Sequence, residues 1–115
     1  MHELGVAFHV IEEVTKIAKE NNVKHISFVT ISLGEVSGVI PNYLKDVWKW
    51  AVDKEKLTKG CELKIEKIRA ITICNSCKKE YQTIMHGKKC PFCKSEDTVL
   101  KTGNEFIIKE IGADS

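Results

Sequence analysis

The sequence predicts an α+β fold: two helices packed on a three-stranded sheet, with a small separate segment inserted before the last strand. Three observations carry this. Apolar residues recur at helical spacing in two stretches and at strand spacing in three, in the order helix, strand, helix, strand, strand. Paired cysteines interrupt the chain before the final strand. At 115 residues the chain makes one compact domain with a small excursion.

The first helix runs from Leu4 to about Asn21. Leu4, Ala7, Phe8, Ile11, Val14 and Ala18 repeat at helical spacing, and Val10 and Ile17 widen the stripe. Glu12, Glu13, Lys16, Lys19 and Glu20 fall on the other side, and Asn21-Asn22 suits the turn that follows. Val23 to Leu33 reads as a strand, with Val29, Ile31 and Leu33 on one face and Ile26 and Phe28 on the other. Gly34-Glu35-Val36-Ser37-Gly38 is a turn-rich break.

Pro41 suits the first turn of the second helix, where its missing N–H costs nothing. Leu44, Val47, Trp48 and Ala51 form its core stripe, and Gly60 is the expected stop. One helix cannot turn both Trp48 and Trp50 inward. Trp48 is the core candidate, and Trp50 is left for an exposed protein-binding patch. Cys61, Leu63 and Ile65 then alternate with Glu62, Lys64 and Glu66 as a strand, and the pattern slips at Lys67-Ile68. Glu105 to Ile111 is the third strand. Residues 1–70 and 101–115 therefore form one discontinuous domain, and 71–100 a second.

Four of the five cysteines form two Cys-x-x-Cys pairs, Cys74/Cys77 and Cys90/Cys93, twelve residues apart. Such a turn brings two sulfurs to one side of a tight knuckle, at the edge of a metal tetrahedron. Pro91 pre-sets the second turn. Between Cys74 and Cys93 the large apolar residues are Tyr81, Ile84, Met85 and Phe92, with Tyr81 and Ile84 expected beneath the metal. Ordering such a segment costs about 1–2 kcal/mol per residue for backbone alone. A structural zinc supplies an apparent ~10–16 kcal/mol, so a zinc ribbon is expected. A closed four-sulfur shell leaves no position for substrate, which makes this zinc structural. Iron of the rubredoxin type is the chemical competitor, and colour separates the two.

Hydrophobic residues at 43% and charged residues at 30% describe a folded chain, not a disordered one. No apolar run approaches the roughly 20 residues that span a bilayer. Met1-His2-Glu3 lacks the basic and apolar stretches of a signal peptide, so a cytoplasmic protein without a membrane partner is expected. The formal net charge is +2. Four thiolates holding one Zn²⁺ bring it to zero, which gives no global pull toward nucleic acid.

The amino terminus offers a second donor set. Bulky His2 keeps Met1 in place. The Met1 α-amine, the His2 amide nitrogen and the His2 imidazole can wrap one cation in fused chelate rings, with Glu3 as a further donor. Planar nitrogen donors suit Ni²⁺ or Cu²⁺. Leu4 opens a helix at once, which anchors these residues to a folded body.

Met1-His2-Glu3-Leu4, Leu33-Gly34-Glu35-Val36-Ser37-Gly38-Val39, Cys74-x-x-Cys77, Cys90-Pro91-x-Cys93 and Gly103-Asn104-Glu105-Phe106 appear in this order. In these motifs the whole chain resembles the HypA/HybF family of hydrogenase nickel-incorporation proteins. The resemblance implies a nickel metallochaperone for [NiFe] hydrogenase, with transient Ni(II) at the residue matching His2 and structural Zn(II) on the tetracysteine segment. It implies a HypB-type GTPase and the hydrogenase large subunit as partners, and urease maturation proteins in some bacteria. Val39-Ile40-Pro41 stands where some members carry an acidic residue, so no carboxylate ligand is expected from that loop. Only His86 lies in the cysteine segment, where several relatives carry more histidines.

No nucleophile–base pattern and no Walker-type phosphate loop is visible, so an enzyme is not expected, and GTP hydrolysis falls to the partner. His9 lies two helical turns from His2, about 10 Å along the axis, too far to share its ion. His25 and Cys61 read as structural. Lys78, Lys79, Lys88, Lys89 and Lys94, with Tyr81 and Phe92, raise an alternative: a zinc ribbon that binds nucleic acid. Lysines around a negative Zn(Cys)₄ centre are expected on solvation grounds alone.

Overall fold

The computed structural model describes residues 3–114. In chain order it contains α1 (Glu3–Glu20), β1 (His25–Gly34), α2 (Pro41–Val52), β2 (Glu62–Ile68), β3 (Ile71–Cys74), β4 (Glu80–Gln82), α3 (Thr83–His86), β5 (Thr98–Thr102) and β6 (Phe106–Asp114). The strands make two three-stranded sheets, ordered β2-β1-β6 and β4-β3-β5. The α+β class with two main helices is as the sequence predicts. The backbone divides into two compact units: one takes in the chain up to Ser32, Val39–Glu66 and the chain from Ile107; the other is Leu33–Gly38 with Lys67–Phe106.

In the helix–sheet unit, α1 and α2 pack together and close a core of Val10, Val14, Ile26, Val29, Ile31, Leu44, Trp48 and Val52. The buried face of α1 is rotated from the expected stripe. Val6, Ala7, Val10, Ile11, Val14 and Ala18 are buried, whereas Phe8 and Ile17 are exposed. Phe8 instead meets Trp50 of α2 edge to face, with ring centroids 6.0 Å apart. Trp48 is buried and donates its indole N–H to the Cys61 carbonyl at 2.9 Å, while Trp50 is 54% exposed with Lys54 Nζ 3.9 Å from its ring centre. Periodicity thus sorted the two tryptophans correctly.

Helix α2 starts at Pro41 but stops at Val52, well before Gly60. The cause is local competition for its terminal groups. The buried Thr58 hydroxyl donates to the Val52 carbonyl at 2.8 Å, and Asp53 accepts the Gly60 N–H at 3.1 Å. Leu57 lies in the resulting loop and accepts the Ile26 N–H at 2.9 Å. In the sheet, the Phe28 ring lies so close to Gly112 of β6 that a Cβ there would collide with it.

In the second unit β3 is the central strand. It pairs antiparallel with β4, placing Thr72 opposite Tyr81, and with β5, placing Cys74 opposite Thr98. Segment 33–38 belongs here through its backbone. Gly34 N–H donates to the Glu105 carbonyl, Glu35 N–H to Ile68 and Val36 N–H to Gly103, at 2.7, 2.9 and 2.8 Å. Glu35 Oε1 accepts the Ala70 N–H at 2.8 Å, and Glu105 Oε1 the Gly103 N–H at 2.7 Å. Three chain segments cross so tightly that a Cβ on Gly34 would strike the Gly103 carbonyl, and Gly103 holds φ at +116° against Ala70. Only glycine meets both demands.

Candidate metal centre

Two knuckles of matching backbone build the site. In the first, Lys78 N–H donates to the Cys74 carbonyl at 2.9 Å and Cys74 N–H to the Lys79 carbonyl at 3.0 Å. In the second, Lys94 N–H donates to Cys90 at 3.0 Å and Cys90 N–H to Ser95 at 2.9 Å. Each turn needs the residue after its second cysteine in the left-handed region, and Lys78 and Lys94 adopt φ of 66° and 67°. The sulfurs of Cys74, Cys77, Cys90 and Cys93 all lie within 4.8 Å of one another. Across the knuckles, Cys74 and Cys93 sulfurs are 3.5 Å apart and Cys77 and Cys90 sulfurs 3.7 Å. Zn–S bonds of roughly 2.3 Å give a tetrahedral edge of about 3.7 Å, so the four sulfurs fit one zinc ion. Among the described residues this is the one cluster of three or more metal-ligating side chains.

The electrostatics fit a divalent cation as well. The Cys77 backbone N–H points at the Cys74 sulfur, 3.5 Å away, and this bond chiefly lowers the Cys74 thiol to about 6. Desolvation opposes ionisation of Cys90, but N–H groups of Cys93 and Phe92 overcome it and lower its pKa. Cys93 goes the other way. The Ser95 amide pulls it down, yet the Cys74, Cys77 and Cys90 sulfurs and desolvation raise it to about 11. Neighbouring thiolates repel one another, and a bound Zn²⁺ relieves that repulsion while holding all four ligands ionised.

Beneath the sulfurs, buried Tyr81 packs with Cys74, Cys77 and Cys90 and donates its hydroxyl to the Gly87 carbonyl at 2.9 Å. Ile84, expected there, is instead 60% exposed on α3. The segment's own core is smaller still than its apolar count allowed. Phe92 is exposed, and Lys79 sits over one face of its ring, 4.8 Å from the centre.

Of the amino-terminal donors, Met1 and His2 lie outside the described residues. Glu3 opens α1, and its Oε2 accepts the Ile40 N–H at 3.3 Å. The acidic side chain is therefore engaged with the residue before α2. Cys61 stays out of the cluster: it is buried, and desolvation, with the charge of Glu62, raises its thiol to about 11. His9 is exposed on α1. His25 bonds within the sheet unit, and His86 lies edge-on to Tyr81 with centroids 5.8 Å apart.

A family model described as hydrogenase/urease nickel incorporation, metallochaperone, matches residues 1–113. The chain belongs to the HypA family. A hydrogenase maturation factor HypA of Chlorobium limicola is 30% identical over 111 residues, covering 96% of this chain and 95% of the relative. That of Dehalococcoides mccartyi is 27% identical over 114 residues, covering 99% and 95%. The solution structure of the Ni metallochaperone HypA from Helicobacter pylori superposes with a TM-score of 0.71 at 21% identity, covering 98% of this chain and 97% of that one. A second HypA solution structure gives 0.72 at 22% identity, covering 98% and 96%.

Membership in the HypA family makes this a nickel-incorporation metallochaperone of hydrogenase maturation and not an enzyme. No helix among the described residues is long and apolar enough to cross a membrane. The cysteine spacing picked out the four sulfurs that cluster, but the polar residues that join the knuckles left no comparable mark. Asn75, Ser76, Ser95 and Asp97 follow no apolar period, and their signal was only a run of turn-forming residue types beside the cysteines.

Proposed function

We propose that this HypA-family protein takes up Ni(II) at its chain start and passes it on during maturation of [NiFe] hydrogenase. The Met1 amine, the His2 amide nitrogen and the His2 imidazole are the donors, with Glu3 beside them. The family match across residues 1–113, which takes in both residues, carries this reading. Glu3, the next residue in sequence, opens α1, and its carboxylate accepts the Ile40 N–H at 3.3 Å. A site of few ligands binds moderately and releases readily, as a carrier requires. Copper outranks nickel at such donors, so selectivity falls to metal supply and partner.

Cys74, Cys77, Cys90 and Cys93 hold Zn(II) as a closed structural site. In this reading residues 1–70 and 101–115 are the nickel domain, and 71–100 the zinc ribbon. A HypB-type GTPase and the hydrogenase large subunit are the partners, with urease maturation proteins where urease is a client, all in the cytoplasm. Nickel calorimetry on untagged protein tests the carrier role. The wild type takes up stoichiometric Ni²⁺, and His2→Ala loses it while keeping its zinc. Equal uptake by the two proteins rejects the amino-terminal site.

A further inference from the structure

The four ligands have a role in this reading, but the residues that tie one knuckle to the other do not. Each knuckle closes on its own backbone, which fixes the sulfurs within it. The cross-knuckle pairs, Cys74–Cys93 and Cys77–Cys90, depend on whatever joins the two turns. The β3–β5 ladder reaches Cys74 opposite Thr98. Past it, Asn75 donates its amide N–H to the Asp97 carbonyl at 2.9 Å and its side-chain Nδ2 to Asp97 Oδ1 at 3.1 Å. Ser76 Oγ donates to Ser95 Oγ at 3.0 Å, and Ser95 Oγ also accepts the Asp97 N–H at 3.0 Å. Thr98 Oγ1 donates to the Lys88 carbonyl at 2.6 Å. The second knuckle is thus held on both sides, near its entry at Lys88 and at its exit at Ser95.

We propose that Asn75, Ser76, Ser95, Asp97 and Thr98 form a polar clasp that governs how fast zinc can leave. They are positioning residues and touch no metal. The inference rests on the zinc reading above. A four-sulfur shell has no vacant position, and parting one knuckle from the other opens one to a competing ligand. That motion breaks the clasp bonds together. Outer-shell partners typically change metal binding by about 10–100-fold. These bonds are open to water, which sets the expectation at the low end.

The test is zinc transfer from full-length protein, purified with its zinc, to excess pyridylazo-resorcinol at neutral pH, followed by colour. An Asn75→Ala/Ser76→Ala double variant and Ser95→Ala should each release zinc about tenfold faster than wild type. Ser76→Thr keeps the hydroxyl and should restore the slow rate. The cobalt-substituted variants should keep the tetrahedral thiolate spectrum of the wild type, since the ligands are unchanged. Wild-type release rates in both alanine variants, each with one zinc bound, overturn the clasp and leave the zinc reading intact. An altered cobalt spectrum also overturns it, because the residues would then be setting the ligand shell itself. A wild-type protein that holds no zinc sinks the zinc reading, and the clasp with it.

Discussion

In the helix–sheet unit Trp48, Ile26, Ile31, Leu44 and Val52 are fully buried, whereas the second unit buries Cys74, Tyr81 and Cys90 around its sulfurs. Burying a large apolar side chain contributes about 1.5–3 kcal/mol, so the first unit can be held by its core alone. The second cannot. Its order comes from backbone bonds at the Gly34–Gly103 crossing and from two self-closed knuckles, to which the proposed zinc adds. One small protein therefore contains two kinds of stability, one set by apolar volume and one by coordination.

The largest expected effect breaks the comparison at its weaker side. Cys74→Ser, or zinc removal by a chelator, takes away an apparent ~10–16 kcal/mol of metal binding. Hydrogen exchange should then find the Lys78, Cys90 and Lys94 amides unprotected, while those of Ile26 and Leu44 stay protected. Knuckle amides that remain protected without metal would show that backbone bonds suffice, and the contrast between the units would fail.

The next effect falls on the core side. Trp48→Ala removes the largest fully buried side chain and strands the Cys61 carbonyl that accepts its indole N–H. A loss of about 3–5 kcal/mol in denaturant unfolding is expected, with bound zinc unchanged. A loss below about 1 kcal/mol would mean that this core repacks freely, contrary to the close packing of protein interiors.

The same contrast explains what could be read from the sequence. Cys-x-x-Cys spacing is a local covalent fact, and it located all four sulfurs. Helical period separated Trp48 from Trp50 because one face of α2 is buried and the other is not. It misplaced Phe8 and Ile17, because a single-stripe pattern cannot show where the buried stripe ends: Phe8 meets Trp50 of α2 edge to face at the surface, and Ile17 is exposed. The early stop of α2 depends on Thr58 and Asp53, whose side chains reach six and seven residues along the chain to backbone groups. Strands β3 and β5 were missed because they are four and five residues long and pair Ile71 with Thr102, far apart in sequence. The knuckle-joining residues are polar and aperiodic, so their partners show only once the chain is folded.

The smallest effect sharpens the comparison by probing a polar tie inside the apolar unit. His25 Nε2 lies 2.7 Å from the Lys59 carbonyl and Nδ1 lies 2.9 Å from Asp114 Oδ2. A neutral imidazole carries one N–H and can serve only one of these acceptors, while the imidazolium donates to both. The Lys59 carbonyl first, and then the Asp114 carboxylate, raise His25 above its ordinary value of 6.5. A group whose folded pKa is raised contributes stability that is fully present below its unfolded value and is lost as pH rises through the folded one. The tie between β1, β6 and the loop before β2 should therefore hold in mild acid and slacken above the His25 midpoint. Proton NMR of the ring should place that midpoint above 6.5, and Asp114→Asn should lower it only part of the way, since the Lys59 carbonyl remains. The melting difference between wild type and His25→Gln should shrink over the same interval. A midpoint at or below 6.5 would show that desolvation outweighs both acceptors, and the helix–sheet unit would then owe its strand-end order to apolar burial alone.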